Sequence, residues 1–143
     1  MTRALEILLV EDNSTDARLI HEVFKRGNIH GNIHVVTDGI EAMKYLRKEG
    51  IYIVKPIPDL ILLDLNLPKM DGKAVLKEIK LDKKLSHIPV IILTSSKSET
   101  DISQAYNLEA DGYLTKTFDM ERLISMAKSI ETYLSNHNSL NRW

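Results

Sequence analysis

Five short apolar runs alternate with segments of helical spacing, and this alternation constrains the chain more than any other feature. The runs are Ile7-Leu8-Leu9-Val10, Ile33 to Val36, Leu60-Ile61-Leu62-Leu63, Val90-Ile91-Ile92-Leu93 and Tyr113 to Thr115. A short, nearly continuous apolar run suits a strand covered on both faces. Between the runs, apolar residues recur at helical spacing. Ser14 is expected to cap a helix that carries Ala17, Ile20, Val23 and Phe24 and stops at Lys25-Arg26-Gly27. Asp38-Gly39 turns into a helix with Ile40, Met43 and Leu46 that ends at Gly50, and a third helix starts near Lys73 with Val75, Leu76 and Ile79. Ser98 with Asp101 resembles a capping box and predicts a fourth helix toward Leu108. Asp119 is placed to cap a last helix with Leu123, Ala127, Ile130 and Leu134. Five βα units in succession predict an α/β fold, a doubly wound five-stranded parallel sheet with helices on both faces.

The length of 143 residues suits one domain, taken here as 1–143. The segment Ile51 to Pro58 is the ambiguous part. Ile51-Tyr52-Ile53-Val54 has strand composition, whereas Lys55-Pro56-Ile57-Pro58 must be extended, so the stretch 51–58 is read as an inserted loop covering part of the core. The tail from His137 to Trp143 is polar apart from Leu140 and Trp143 and is expected to fray.

In a doubly wound sheet, ligands sit at the carboxyl ends of the strands. Here the first run ends in Glu11-Asp12-Asn13, the third in Asp64, the fourth in Thr94-Ser95-Ser96 and the fifth in Lys116. Each alone is ordinarily a turn, a helix cap or a surface charge. Together they place three carboxylates, a hydroxyl and an ammonium at one edge. Three carboxylates in one place repel, and a hard divalent cation such as Mg²⁺ would relieve them. Asp64 would be the nucleophile on phosphorus, and Lys116 would pair first with Asp64 and later with phosphoryl oxygens. Such transfer needs mainly positioning and charge stabilisation.

These motifs resemble the receiver domains of two-component signalling. The resemblance runs from about Glu6 to Leu134. It rests on Ile7 to Asn13, on Asp59 to Pro68 with Lys69-Met70-Asp71-Gly72, on Pro89 to Ser96, and on Ala110 to Lys116. It implies a flavodoxin-like strand order 2-1-3-4-5, Mg²⁺ at Glu11, Asp12, Asp64 and the Asn66 backbone carbonyl, and Asp64 as phosphoacceptor. It also implies Thr94 as switch hydroxyl, Tyr113 as switch aromatic and Lys116 as the lysine that meets the phosphoryl group. Such a protein is phosphorylated by a sensor histidine kinase, signals to a downstream protein and is not otherwise an enzyme. The segment between the second helix and third strand, with Leu76-Lys77-Glu78-Ile79-Lys80 and His87-Ile88-Pro89, is similar to the small regulators that partner cyanobacterial phytochromes, so a phytochrome-like kinase is the expected partner. A homodimer through the fourth helix, fifth strand and last helix is a further expectation. One departure stands out. The family usually has Pro after the lysine, often with a cis bond. Thr117 stands here, and a cis bond before it would cost about 3 kcal/mol. Either a trans or a strained cis bond is expected, with Lys116 set somewhat differently.

Composition narrows the alternatives. The net charge of −1 gives no general affinity for nucleic acid or anionic membrane. The absence of cysteine removes disulfides, thiolate metal sites and a thiol nucleophile, and fits a cytoplasmic protein. No apolar run reaches membrane-spanning length, and the first residues lack a signal-peptide core. None of the five histidines has metal-site spacing. A phosphatase of the haloacid dehalogenase type would need an acid where Asn66 stands. A flavin module would need a phosphate-holding loop where Glu11-Asp12 would repel phosphate. The remaining alternative is a degenerate receiver used only for docking, which Thr117 supports.

Overall fold

The computed structural model describes residues 4–94, 107, 109–116 and 120–136. The elements in order are β1 (Leu5–Val10), α1 (Ser14–Arg26), β2 (Gly31–Val36), α2 (Gly39–Leu46), a 3₁₀ turn (Gly50–Val54), β3 (Leu60–Asp64), α3 (Gly72–Leu81), β4 (Val90–Thr94), β5 (Gly112–Thr115) and α4 (Met120–Asn136). The strands form one parallel sheet in the order β2-β1-β3-β4-β5. This is the doubly wound sheet the apolar runs imply, in the flavodoxin-like order the family resemblance implies.

Alternation along the strands divides the core in two, because successive side chains point to opposite faces. Leu8, Val10, Ile61, Leu63, Val90 and Ile92 meet α2 and α3 through Ala42, Met43, Leu46, Val75, Leu76 and Ile79. Leu5, Ile7, Leu9, Leu60, Leu62 and Leu93 meet α1 and α4 through Ala17, Ile20, Val23, Phe24, Leu123 and Ala127. A central strand with both faces covered has no room for polar residues until it ends. All five residues of β3 are buried, and the last of them is Asp64. At the sheet's rim, β2 is only partly buried, which admits His34.

Local chemistry refines several expected boundaries. The cap of α1 is Asn13, not Ser14: its side-chain oxygen accepts the Asp16 N–H at 3.0 Å, and Ser14 is already helical. α2 stops at Leu46, short of Gly50, because Lys48 and Gly50 take left-handed backbone angles, φ 56° and 57°. Ile40, expected on the core face of α2, is exposed, and Tyr45 is buried in its stead. The stretch 51–58 covers the core only through Tyr52 and Pro58. Tyr52 packs against the α2 side and donates its hydroxyl to Glu41 Oε2 at 2.6 Å, whereas Ile51, Ile53, Val54 and Ile57 are exposed. The predicted fourth helix with Ser98 and Asp101, the Asp119 cap, Thr117 and the tail from His137 lie outside the described residues.

Candidate functional site

The carboxyl edge is built by the strand ends. β1 stays in register with β2 one residue past its end, since Glu11 N–H donates to the Val36 carbonyl at 3.0 Å. That holds Glu11 inside the protein, 1% exposed, while Asp12 emerges at the surface. One Glu11 oxygen, Oε2, accepts the Asn13 N–H at 3.3 Å. The other, Oε1, is buried without a well-formed hydrogen bond among the described residues and has the Lys116 ammonium as its ionic neighbour.

Asp64 is oriented by its own loop. Its Oδ1 accepts the Asn66 N–H at 2.9 Å, and its Oδ2 lies 3.2 Å from Lys116 Nζ. The loop then folds back tightly: Gly72 N–H donates to the Leu65 carbonyl at 3.2 Å. A Cβ at Gly72 would run into the Asp64 carbonyl, so this close return requires glycine. Gly39 at the start of α2 likewise leaves room for the Met70 backbone. Beside it, Lys69, with φ 65°, places Nζ 3.5 Å from Asp38 Oδ2. Asp38 itself is buried and caps α2 through the Glu41 N–H. The loop after Asp64 is thereby moored to the second helix.

Lys116, just after β5, reaches into this edge with little exposure. Its ammonium is paired with Glu11, with Asp16 at 2.8 Å and with Asp64 at 3.2 Å. Burial alone would depress its pKa, but hydrogen bonds to Asp16 and Glu11 and the charges of Asp64 and Glu11 outweigh this and raise it. Lys116 is therefore a fixed positive charge at neutral pH. The Glu11 pKa is raised too, but here the charged form is disfavoured: burial, and then its contact with Asp64, raise it to about 7 despite the opposing lysine. Even with Lys116 present, the edge carries more negative charge than it can settle.

Carboxylate oxygens of Glu11, Asp12 and Asp64 all lie within 4.8 Å of one another. Three hard oxygen donors in one place and a raised carboxylate pKa at Glu11 together suit a divalent cation of the Mg²⁺ type. Among the other residues predicted from sequence, Asn66 is the next turn of the Asp64 loop. Thr94 ends β4, one position beyond the residue paired with Asp64, and is itself paired with Thr115. Tyr113 lies on β5 opposite Ile92 and is 44% exposed. Asp16 was not foreseen. An acid in the first turn of a helix is common for electrostatic reasons alone. The available signal was its position four residues past Asp12, in the first turn of a helix that must start at the same edge.

The response regulator receiver domain family matches residues 7–128. Response regulator Rcp1 of Synechocystis sp. is 46% identical over 127 residues, which cover 89% of this chain and 86% of that protein. The phosphorylated cyanobacterial phytochrome response regulator RcpA superposes with a TM-score of 0.82 at 46% identity, covering 92% of this chain and 94% of that one. The Mn²⁺-bound form of response regulator Rcp1 gives 0.80 at 42% identity, with coverage of 97% and 96%. With five parallel strands in this order and an acidic pocket at their carboxyl edge, the chain belongs to the response regulator receiver family, the signalling domains of two-component systems.

Proposed function

We propose that the chain accepts a phosphoryl group on Asp64 from the phosphohistidine of a sensor histidine kinase. Mg²⁺ would be held by Glu11, Asp12, Asp64 and the Asn66 carbonyl. The observation that carries this reading is the setting of Asp64: one oxygen is tied to the Asn66 N–H, the other faces Lys116, and Glu11 and Asp12 lie beside it. In the transfer, a carboxylate oxygen of Asp64 forms the new P–O bond as the P–N bond to the donor imidazole breaks. The imidazole then takes a proton. Lys116 is charged and pre-aimed, so it can move from the Asp64 carboxylate to the phosphoryl oxygens without a search. The metal, when bound, offsets the negative charge brought in by the phosphoryl group. The Thr94 hydroxyl would accept the remaining phosphoryl charge as a hydrogen-bond donor.

The signal would then leave through the side of β5 and α4. Tyr113 and Tyr133 are exposed there, and Tyr113 would turn inward when Thr94 moves. The receptor is a downstream protein or a second copy of the chain. The likeness to phytochrome response regulators supports a phytochrome-like kinase as donor. Among the described residues no helix is long and apolar enough to cross a membrane, and a cytoplasmic site of action, without direct nucleic-acid contact, fits this reading. The receiver unit itself would span the family match, residues 7–128.

The test is intact mass after incubation with Mg²⁺ and acetyl phosphate or phosphoramidate. The wild type gains one labile phosphoryl group, and Asp64→Asn gains none. Uptake by Asp64→Asn would place the acceptor elsewhere, and a wild type that neither takes up phosphoryl nor binds Mg²⁺ would leave a docking module; either overturns the proposal.

A further inference from the structure

Lys116 has a carboxylate partner that the phosphoryl chemistry does not require. Of its three acidic neighbours, Glu11 and Asp64 belong to the converging cluster suited to the cation, and Asp16 does not. Yet Asp16 Oδ2 lies at 2.8 Å, closer than Asp64 Oδ2 at 3.2 Å. Its place is built: the Asp16 N–H is fixed by the Asn13 cap at 3.0 Å, in the first turn of α1, where the helix favours negative charge. The contact joins the first helix to a residue one hundred positions later, just after the last strand.

A mostly buried ammonium must be balanced by nearby negative charge. Without Asp16, that balance would fall wholly on Glu11 and Asp64. Those are two of the carboxylates the cation needs, so lysine and cation would compete for the same oxygens. We infer that Asp16 is a positioning residue for Lys116, holding the ammonium beside the site so that Glu11 and Asp64 remain available to the cation; the inference rests on the receiver reading above. Asp16 acts through Lys116 and touches neither metal nor phosphoryl group.

A double-mutant cycle on Mg²⁺ affinity, measured by titration calorimetry, tests this. Asp16→Asn is combined with Lys116→Met, and with Lys116→Gln in parallel so that a folded lysine-free background is available, each checked by thermal melting. Asp16→Asn is expected to weaken Mg²⁺ binding about fivefold when Lys116 is present and by under about twofold when it is absent. Asp16→Glu, which keeps the charge, should restore most of the affinity. Equal losses in both backgrounds would make Asp16 a distant charge only, and no loss would make it a helix-end residue only; either overturns the inference. A wild type that binds Mg²⁺ and takes up phosphoryl, alongside a cycle with no coupling, removes Asp16 alone. A wild type that does neither removes the receiver reading and this inference with it.

Discussion

The two edges of the sheet use the same residue types to opposite ends. At the amino edge, Asp59 and Asp111 each make a two-bond clasp on a neighbouring strand. Asp59 N–H donates to the Glu6 carbonyl at 2.7 Å while its Oδ2 accepts the Glu6 N–H at 2.8 Å. Asp111 repeats the device on Val90, at 2.9 and 2.8 Å, and its carboxylate also takes Lys80 Nζ at 3.1 Å. Glu6 is answered by Asn32 and His34. Each of these acids meets a donor supplied by the fold. At the carboxyl edge, Glu11, Asp16 and Asp64 converge on the ammonium of Lys116 with Asp12 beside them, and the Asn13 and Asn66 N–H groups answer one further oxygen each of Glu11 and Asp64. An acid that starts a strand can be answered by backbone N–H groups of the strand beside it. An acid that ends one stands where the ladder runs out, and here its neighbours are other acids and one lysine, a setting suited to a cation.

The contrast makes graded predictions. The largest effect is functional and should leave stability untouched. Asp64→Asn abolishes phosphoryl uptake by mass spectrometry, while the melting temperature holds or rises, because a carboxylate has left a repulsive cluster. A clear fall in melting temperature would mean that the carboxyl edge is as structural as the other. Next, Asp59→Ala strands the Glu6 N–H and should cost about 2 kcal/mol in urea unfolding with Mg²⁺ affinity unchanged. A matching loss of Mg²⁺ affinity would break the division between the edges.

The pH dependence is subtler. The Glu11 pKa is raised in the fold, from 4.5 to about 7, by burial first and then by Asp64. A carboxyl whose folded pKa lies above its unfolded value favours the folded state below that unfolded value, and this contribution is lost as pH rises through the folded value. The metal-free protein should therefore lose stability from this group between pH 4.5 and about 7. Mg²⁺ needs the ionised form, so the rise in melting temperature it gives should grow over the same interval. A constant rise would remove Glu11 from the cation. The smallest effect belongs to His34→Ala. It breaks a partly exposed pair with Glu6 and should cost about 0.5 kcal/mol, because solvent screens it and Asn32 still holds Glu6.

What was legible in the sequence follows from which forces act locally. The strands could be read because a strand covered on both faces must be apolar throughout, as β3 is, and the first polar residue after it then marks the edge; their order came from the family resemblance. Glu11, Asp12, Asp64 and Lys116 are brought together on that logic alone. The insert, read as a loop despite its strand-like composition, shows that composition measures appetite for a sheet but not whether a sheet position is free. Ile51 to Val54 follow left-handed turns at Lys48 and Gly50, and only Tyr52 finds a place in the core. Asn13 and Ser14 are both good caps one residue apart, and only the backbone of α1 selects between them. Asp16 was hidden because its partner lies one hundred residues away, beyond any local pattern.

The position of Asp64 also has a mechanical consequence. It ends the middle strand of the five, with a hydrogen-bonded neighbour on either side and both faces buried. Amides of such a strand exchange with solvent only when the whole domain opens. A phosphate added there is fastened to the least yielding part of the molecule, which cannot give way to accommodate it. The strain must be relieved outward, by side chains and loops around a stationary post. Under the proposed function, the strand expected to exchange most slowly would receive the phosphoryl group, and side chains and loops around it would carry the change outward.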